Sequence, residues 1–136
     1  MTTSSKGTQN EKACLEAYKA YMLQKKDYIL IDEWRTVRTG FKTKKGFISH
    51  NNDFLHDFDL GVAYSYKGIG VLVFIQVKSK FELKYYRYLQ ERWSSSPAHC
   101  YLASYSKLPK SIKANEAHAI ESERIRLDDK FTMVRI

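Results

Sequence analysis

The sequence predicts an α/β fold, a single domain whose central mixed β-sheet is flanked by helices. Three observations carry that prediction. Between Gln9 and Lys26, the residues Ala13, Cys14, Ala17, Tyr18, Tyr21 and Met22 recur at steps of three and four, the period of an amphipathic helix. Two β-prone runs, Phe58 to Tyr66 and Val71 to Val77, flank Lys67-Gly68-Ile69-Gly70, a tight-turn composition that predicts an antiparallel hairpin. The second run reads Val-Leu-Val-Phe-Ile-Gln-Val and is apolar on both faces, as a strand is when it lies mid-sheet with helices over both sides.

The remaining elements follow in chain order. Met1 to Asn10 is polar and lacks the apolar middle region of a signal peptide, so residues 1–8 read as a flexible leader to the first helix. Tyr28-Ile29-Leu30-Ile31 predicts a short strand. Arg35, Arg38, Lys42, Lys44 and Lys45 then fall within eleven residues that hold no acid, interleaved with Trp34, Phe41, Gly40 and Gly46, which predicts a mobile basic loop. A polar cluster, Ser49 to Asp53, leads into the hairpin. Beyond the hairpin, Phe81 to Trp93 has helical spacing, with Lys84, Arg87 and Glu91 outward and Tyr85, Tyr88 and Leu89 toward the sheet, and Ser94-Ser95-Ser96-Pro97 ends it. His99 to Tyr105 predicts a strand, Ile112 to Ile120 a weak helix, and Phe131 to Ile136 a short last strand.

A chain of 136 residues with 43% apolar content supports one hydrophobic core and one domain, residues 1–136. No segment approaches the roughly 20 apolar residues that span a bilayer, so the expectation is a soluble protein of the cytoplasm, with no membrane partner. Cys14 and Cys100 each sit inside an apolar pattern, where a buried thiol is the ordinary state. The net charge of +8 favours a polyanionic partner through bulk field and counterion release. Neither a Gly-rich phosphate loop ending in Gly-Lys-Ser/Thr nor a Gly-x-Ser-x-Gly elbow occurs, which removes the usual sequence support for nucleotide hydrolysis and esterase chemistry.

Asp59, Gln76 and Lys78 carry the candidate chemistry. Hydrolysis of a phosphodiester at neutral pH calls for a divalent cation held by oxygen ligands and a charged group beside the attacking water. Asp59 at the start of the hairpin and Gln76 near the end of its partner strand both offer oxygens that Mg²⁺ accepts, and the Val77 carbonyl offers another. Lys78 lies two residues beyond Gln76, on the same face of the strand. A turn near Gly68 folds Asp59 back toward Gln76 to Lys78, so the chain itself brings the three together. Asp57, on the same face of an extended segment as Asp59, is the rival first acid, either a supporting partner or a solvated loop residue. His50, Asp53, His56 and Asp57 form a second polar cluster whose composition suits turns and local hydrogen bonds better than a zinc site. Tyr18, Tyr21, Tyr85 and Tyr88 have helical spacing, which core packing explains.

Asp59-Leu60-Gly61-Val62, followed seventeen positions after Asp59 by Gln76-Val77-Lys78-Ser79, resembles the PD-(D/E)XK, or restriction-endonuclease-like, nuclease signature. The resemblance is strongest to archaeal Holliday-junction resolvases, because Lys6-Gly7 followed by Glu11 in the first helix is similar to their N-terminal motif; the glutamine at 76 resembles the Mrr-like branch, where an Asp and a Gln-x-Lys occur together. It implies a restriction-endonuclease-like core and a Mg²⁺-dependent endodeoxyribonuclease, with Mn²⁺ as a substitute, leaving 5′-phosphate ends on branched or four-way DNA. By position, Asp59 and Gln76 bind metal, Lys78 activates the attacking water and Glu11 is an additional acid near the metal. Arg35, Arg38, Lys42, Lys44, Lys45, Ser79 and Lys80 are then the expected DNA contacts, and a homodimer is expected because a junction needs two opposed cuts. Two other readings stay open: a catalytically weak or inactive DNA-binding module on the same fold, and a basic structural or RNA-associated protein in which Asp59, Gln76 and Lys78 do not converge.

Overall fold

Cys14, Tyr18 and Met22 stand one turn apart on the first helix and all three are buried, so a single stripe of α1 (Lys6–Leu23) faces the core while Lys12 and Glu16 remain outside. The computed structural model describes residues 6–37, 40–43, 46–49, 57–105, 124–127 and 131–136. The segments expected as a weak helix, 112–120, and as the polar cluster with His50, Asp53 and His56 lie outside them. α1 gives way to a turn in which Asp27 adopts a positive φ of 74°, a conformation aspartate tolerates better than most residues.

The strand that follows corrects the expected basic loop. β1 runs from Tyr28 to Val37, β2 from Gly40 to Thr43 and β3 from Gly46 to Ser49, so Arg35 and Lys42 are strand residues that pair with each other. The physical reason is backbone pairing on both edges. Asp32 to Arg35 register against Ala63 to Leu60 of β4, and Trp34 to Val37 register against Thr43 to Gly40 of β2, satisfying peptide groups that a loop would leave to water. Arg38, Lys44 and Lys45 lie outside the described residues.

β4 (Leu60–Tyr66) and β5 (Ile69–Lys78) form the expected antiparallel hairpin. Its turn is Lys67-Gly68, with φ of 50° and 84°, the paired left-handed conformations of the two-residue turn whose twist matches flanking strands. α2 (Leu83–Trp93) then crosses to β6 (His99–Tyr105), which lies parallel to β5. β7 (Arg124–Arg126) and β8 (Phe131–Arg135) close the sheet, whose order is β3-β2-β1-β4-β5-β6-β8-β7 among the described residues.

Among the described residues the sheet is mixed and eight-stranded and carries one helix on each face, an α/β domain. Leu60, Val62, Val73, Ile75 and Met133 pack beneath α1, whereas Leu102 and Val134 pack with Tyr86 and Leu89 of α2. Full burial of such side chains is worth roughly 1.5–3 kcal/mol each. α2 is rotated relative to the expected orientation: Tyr86 and Leu89 are its buried residues, while Tyr88 is 44% exposed. No described helix is long and apolar enough to cross a membrane.

Trp34 lies across Gly61, its partner in the β1–β4 register, and its indole sits edge-on to Phe74 with centroids 5.8 Å apart. A Cβ at Gly61 would meet the indole ring itself. Gly61→Ala is therefore expected to cost about 1–3 kcal/mol, the usual range for overpacking, seen as a lower Tm. Partial recovery in the double variant Gly61→Ala/Trp34→Leu would locate the clash; an unchanged Tm in the single variant contradicts it.

Candidate active site

β5 is the strand where the sheet changes from an antiparallel to a parallel neighbour, and its C-terminal end carries Gln76, Val77 and Lys78. Such ends form open crevices in α/β sheets because the connections on either side diverge. The chain enters β4 beside this end. Asp59 N–H donates to the Ile75 carbonyl at 3.0 Å, and Val77 N–H donates to Asp59 Oδ2 at 3.0 Å. The amide and carbonyl of one strand residue share an edge, so the Val77 carbonyl is directed toward this side as well, beyond the last β4 pair, Leu60↔Ile75.

Gln76 is only 7% exposed, and with its amide oriented to satisfy both neighbours its nitrogen donates to the Asp57 carbonyl at 2.8 Å and to Asp59 Oδ2 at 3.1 Å. Asp59 thus receives two N–H donors on one oxygen. Burial nonetheless raises its pKa above the usual carboxylate range, against the lowering effects of the Val77 N–H and the Lys78 charge. Glu11 reaches the same place from α1. Burial, and then the negative charge of Asp59, push Glu11 up to about 7, with the Arg35 charge opposing.

Asp59 is therefore the common point of the expected residues: Val77 N–H and the Gln76 amide reach its carboxylate, the Lys78 charge acts on it, and its own charge acts on Glu11. Arg35, expected in a mobile loop, stands beside Glu11 instead, on a strand whose register places it opposite Leu60, one residue from Asp59. Ser79 and Lys80 follow Lys78 in an exposed bend. Among the described residues, no three His, Cys, Asp or Glu side chains form a metal-binding group.

Asp57 is not a solvated loop residue. At 5% exposure it accepts from Trp93 Nε1 at 2.6 Å, from Arg92 Nε at 2.9 Å and from the Tyr88 hydroxyl at 3.3 Å. Every one of these donors belongs to α2, so Asp57 ties the helix to the mouth of the hairpin. A second route runs from α2 to the site: the Lys78 ammonium lies 4.6 Å over the Tyr85 ring, which stacks on Tyr88 with centroids 5.8 Å apart. A chain of contacts thus runs from Asp57 through Tyr88 and Tyr85 to Lys78, two residues beyond Gln76 on the same strand. Sequence reasoning missed Tyr85, Tyr88 and Arg92 in this role. Their spacing of three and four residues was the available signal, a polar-aromatic stripe beside the apolar one.

Compared with known proteins, the chain matches no family model, no curated protein and no solved structure.

The raised Glu11 makes stability depend on pH in a defined direction. Between about 4.5 and about 7 the folded chain holds a proton that an unfolded chain has released, so stability is highest below that window and falls as pH rises through it. Glu11→Gln is expected to flatten the slope of Tm between pH 4 and pH 8; an unaltered slope in the variant would remove Glu11 from the site.

Asp57 and Asp59 are separable by stability. Asp57→Ala leaves the Trp93 N–H and the Arg92 charge without their acceptor and is expected to cost about 3 kcal/mol. Asp59→Asn, which removes a charge burial already disfavours, is expected to leave the denaturation midpoint unchanged or higher. Equal losses in both variants would mean that the two carboxylates share one structural role.

Proposed function

We propose that this chain is a metal-dependent DNA endonuclease on a restriction-endonuclease-like core. The observation supporting it is the convergence of Glu11, Asp59, Gln76 and Lys78, from three separate elements, at the end of β5. A basic structural protein has no need of two mutually repelling, desolvated acids beside a lysine. The net charge of +8 supports a polyanionic substrate.

The donor set fits a hard divalent cation. Glu11 and Asp59 offer carboxylates, Gln76 and Val77 neutral oxygens, and Mg²⁺ is commonly held by one or two carboxylates with waters and phosphate oxygens completing the shell. Mn²⁺ suits the same oxygens. When bound, the cation neutralises the scissile phosphate and acidifies a water. Lys78 would steer the attacking water and offset the developing negative charge, its ammonium held over the Tyr85 ring and its charge already acting on Asp59. Gln76 holds Asp59 through its amide N–H and, with the amide turned, presents its oxygen instead. Arg35 offsets Glu11 and is within reach of an incoming phosphate. Ser79 and Lys80, next after Lys78, are the proposed contacts to the DNA backbone, and Lys42, whose backbone pairs with Arg35, continues with Arg38, Lys44 and Lys45 the basic strip in sequence. Cleavage leaves 5′-phosphate ends, branched or four-way DNA is the proposed substrate, and two opposed cuts call for a homodimer. Cys14 and Cys100 are both buried thiols.

One observation favours a second reading, a DNA-binding module with weakened catalysis. The Gln76 amide donates to Asp59 where a second acid would supply charge. Incubation of the purified chain with a synthetic four-way junction and a linear duplex, under Mg²⁺ or Mn²⁺, separates the two. The nuclease reading expects metal-dependent cutting that Asp59→Asn abolishes, that Tyr85→Leu slows about tenfold and that Tyr85→Phe preserves. Tight, salt-sensitive binding without cutting under either metal establishes the module, and full activity in a clean Asp59→Asn preparation sinks the assignment.

A further inference from the structure

The other end of α1 frames a second cavity, of about 230 Å³, unconnected with the proposed catalysis. Tyr18 and Tyr64 form its floor with Val73; the two rings meet edge to face at 6.2 Å, and all three residues are buried. Its rim carries Lys25, His99 and Arg135. The Lys25 ammonium lies 5.2 Å over the Tyr21 ring and the Arg135 guanidinium 5.6 Å over the Tyr101 ring, so two cations are parked on aromatic faces at the mouth. Among the described residues, no carboxylate lines the cavity and no ion pair joins Lys25 or Arg135 to one. Burial, and then the Arg135 charge, hold the His99 pKa below its ordinary value.

This cavity is distinct from the candidate active site. Glu11 and Tyr21 are ten residues apart on α1, about 15 Å at 1.5 Å per residue. Strand alternation also directs Gln76 and Lys78 to the α2 side of the sheet, whereas Val73 lies beneath α1.

A floor of phenol rings suits a flat, partly polar ring system, and an Arg and a Lys at the mouth, joined to no carboxylate among the described residues, suit an anionic group at its edge. The volume takes a nucleobase and part of its sugar, with a phosphate left at the rim. We propose that the cavity is a mononucleotide-binding site, with the base against Tyr18 and Tyr64 and the phosphate between Arg135 and Lys25. A free nucleotide and the end nucleotide of a DNA strand share this chemistry.

The test uses the full chain without metal. Deoxyadenosine monophosphate, deoxyadenosine, inorganic phosphate and a 5′-phosphorylated adenine pentanucleotide are titrated, with binding followed by calorimetry and by the NMR signals of the His99 ring. The monophosphate is expected to bind and shift His99, at least tenfold more tightly than deoxyadenosine or phosphate. Arg135→Ala should weaken it tenfold or more, and Asp59→Asn should leave it unchanged. Lys25→Ala, at an exposed position past the helix end, should weaken it severalfold and serves if the Arg135 variant does not fold. Tighter binding of the pentanucleotide assigns a strand end as the ligand; equal or weaker binding assigns the free nucleotide. Absence of binding at millimolar monophosphate, phosphate binding equally well, or sensitivity to Asp59→Asn without sensitivity to Arg135→Ala overturns the proposal.

Discussion

Register along the β4–β5 hairpin is the constraint on which the site depends. Seven consecutive pairs, from Tyr66↔Ile69 to Leu60↔Ile75, run from the two-residue turn at Lys67-Gly68 without a bulge. Side chains alternate strictly along such a strand, so a slip of one residue would carry Gln76 and Lys78 into the α1 core and turn Ile75 and Val77 toward α2. The core forbids that slip. Ile75 and Leu60 are fully buried in the α1 cluster, where a glutamine amide or a lysine ammonium in place of an apolar side chain would be desolvated at high cost. Hydrophobic packing beneath the sheet thereby positions polar groups on its opposite face.

Two aspartates two residues apart are given opposite tasks by what surrounds them. Asp57 meets three donors from α2, a hydrogen-bonded and charge-compensated arrangement that makes its carboxylate a fastener between helix and hairpin. Asp59 meets two amide N–H groups and the field of Lys78, and burial still outweighs them. The negative charge of Asp59 in turn helps, after burial, to hold the proton on Glu11. A carboxylate whose compensation is incomplete in the resting chain is the one suited to meet an incoming cation, because the free energy of neutralising it has not already been used by the fold.

Much of this was legible from residue order. The helical period of Cys14, Tyr18 and Met22, the turn composition at Lys67-Gly68, the two-faced apolar run of β5 and the strand at His99 to Tyr105 all correspond to elements of the structure. Each is a local pattern with its own period or turn chemistry. β1 was read too short because Arg35 looks like loop composition when taken alone, whereas its strand conformation comes from pairing with β4 and β2, segments distant in sequence. The three-residue β7 carries no local signal and exists as a strand by pairing with β8. The meeting of Asp59 with Gln76 and Lys78 could be reasoned from one hairpin; the roles of Arg35 and of Tyr85 and Tyr88 required knowing which elements stack over the sheet. Arg38, Lys44 and Lys45 lie outside the described residues.

The charge of the chain acts at two ranges that should not be merged. Over the whole molecule, 23 Lys and Arg outnumber 15 Asp and Glu, and the resulting field favours a polyanion in a way that added salt screens. At the end of β5 the described charges are balanced instead, Asp59 and Glu11 standing against Lys78 and Arg35, and it is burial more than net charge that raises both carboxyls. Salt dependence and cation dependence are therefore separable in the proposed enzyme: the first belongs to the basic surface, and the second to two carboxyls whose desolvation the neighbouring cations do not fully offset.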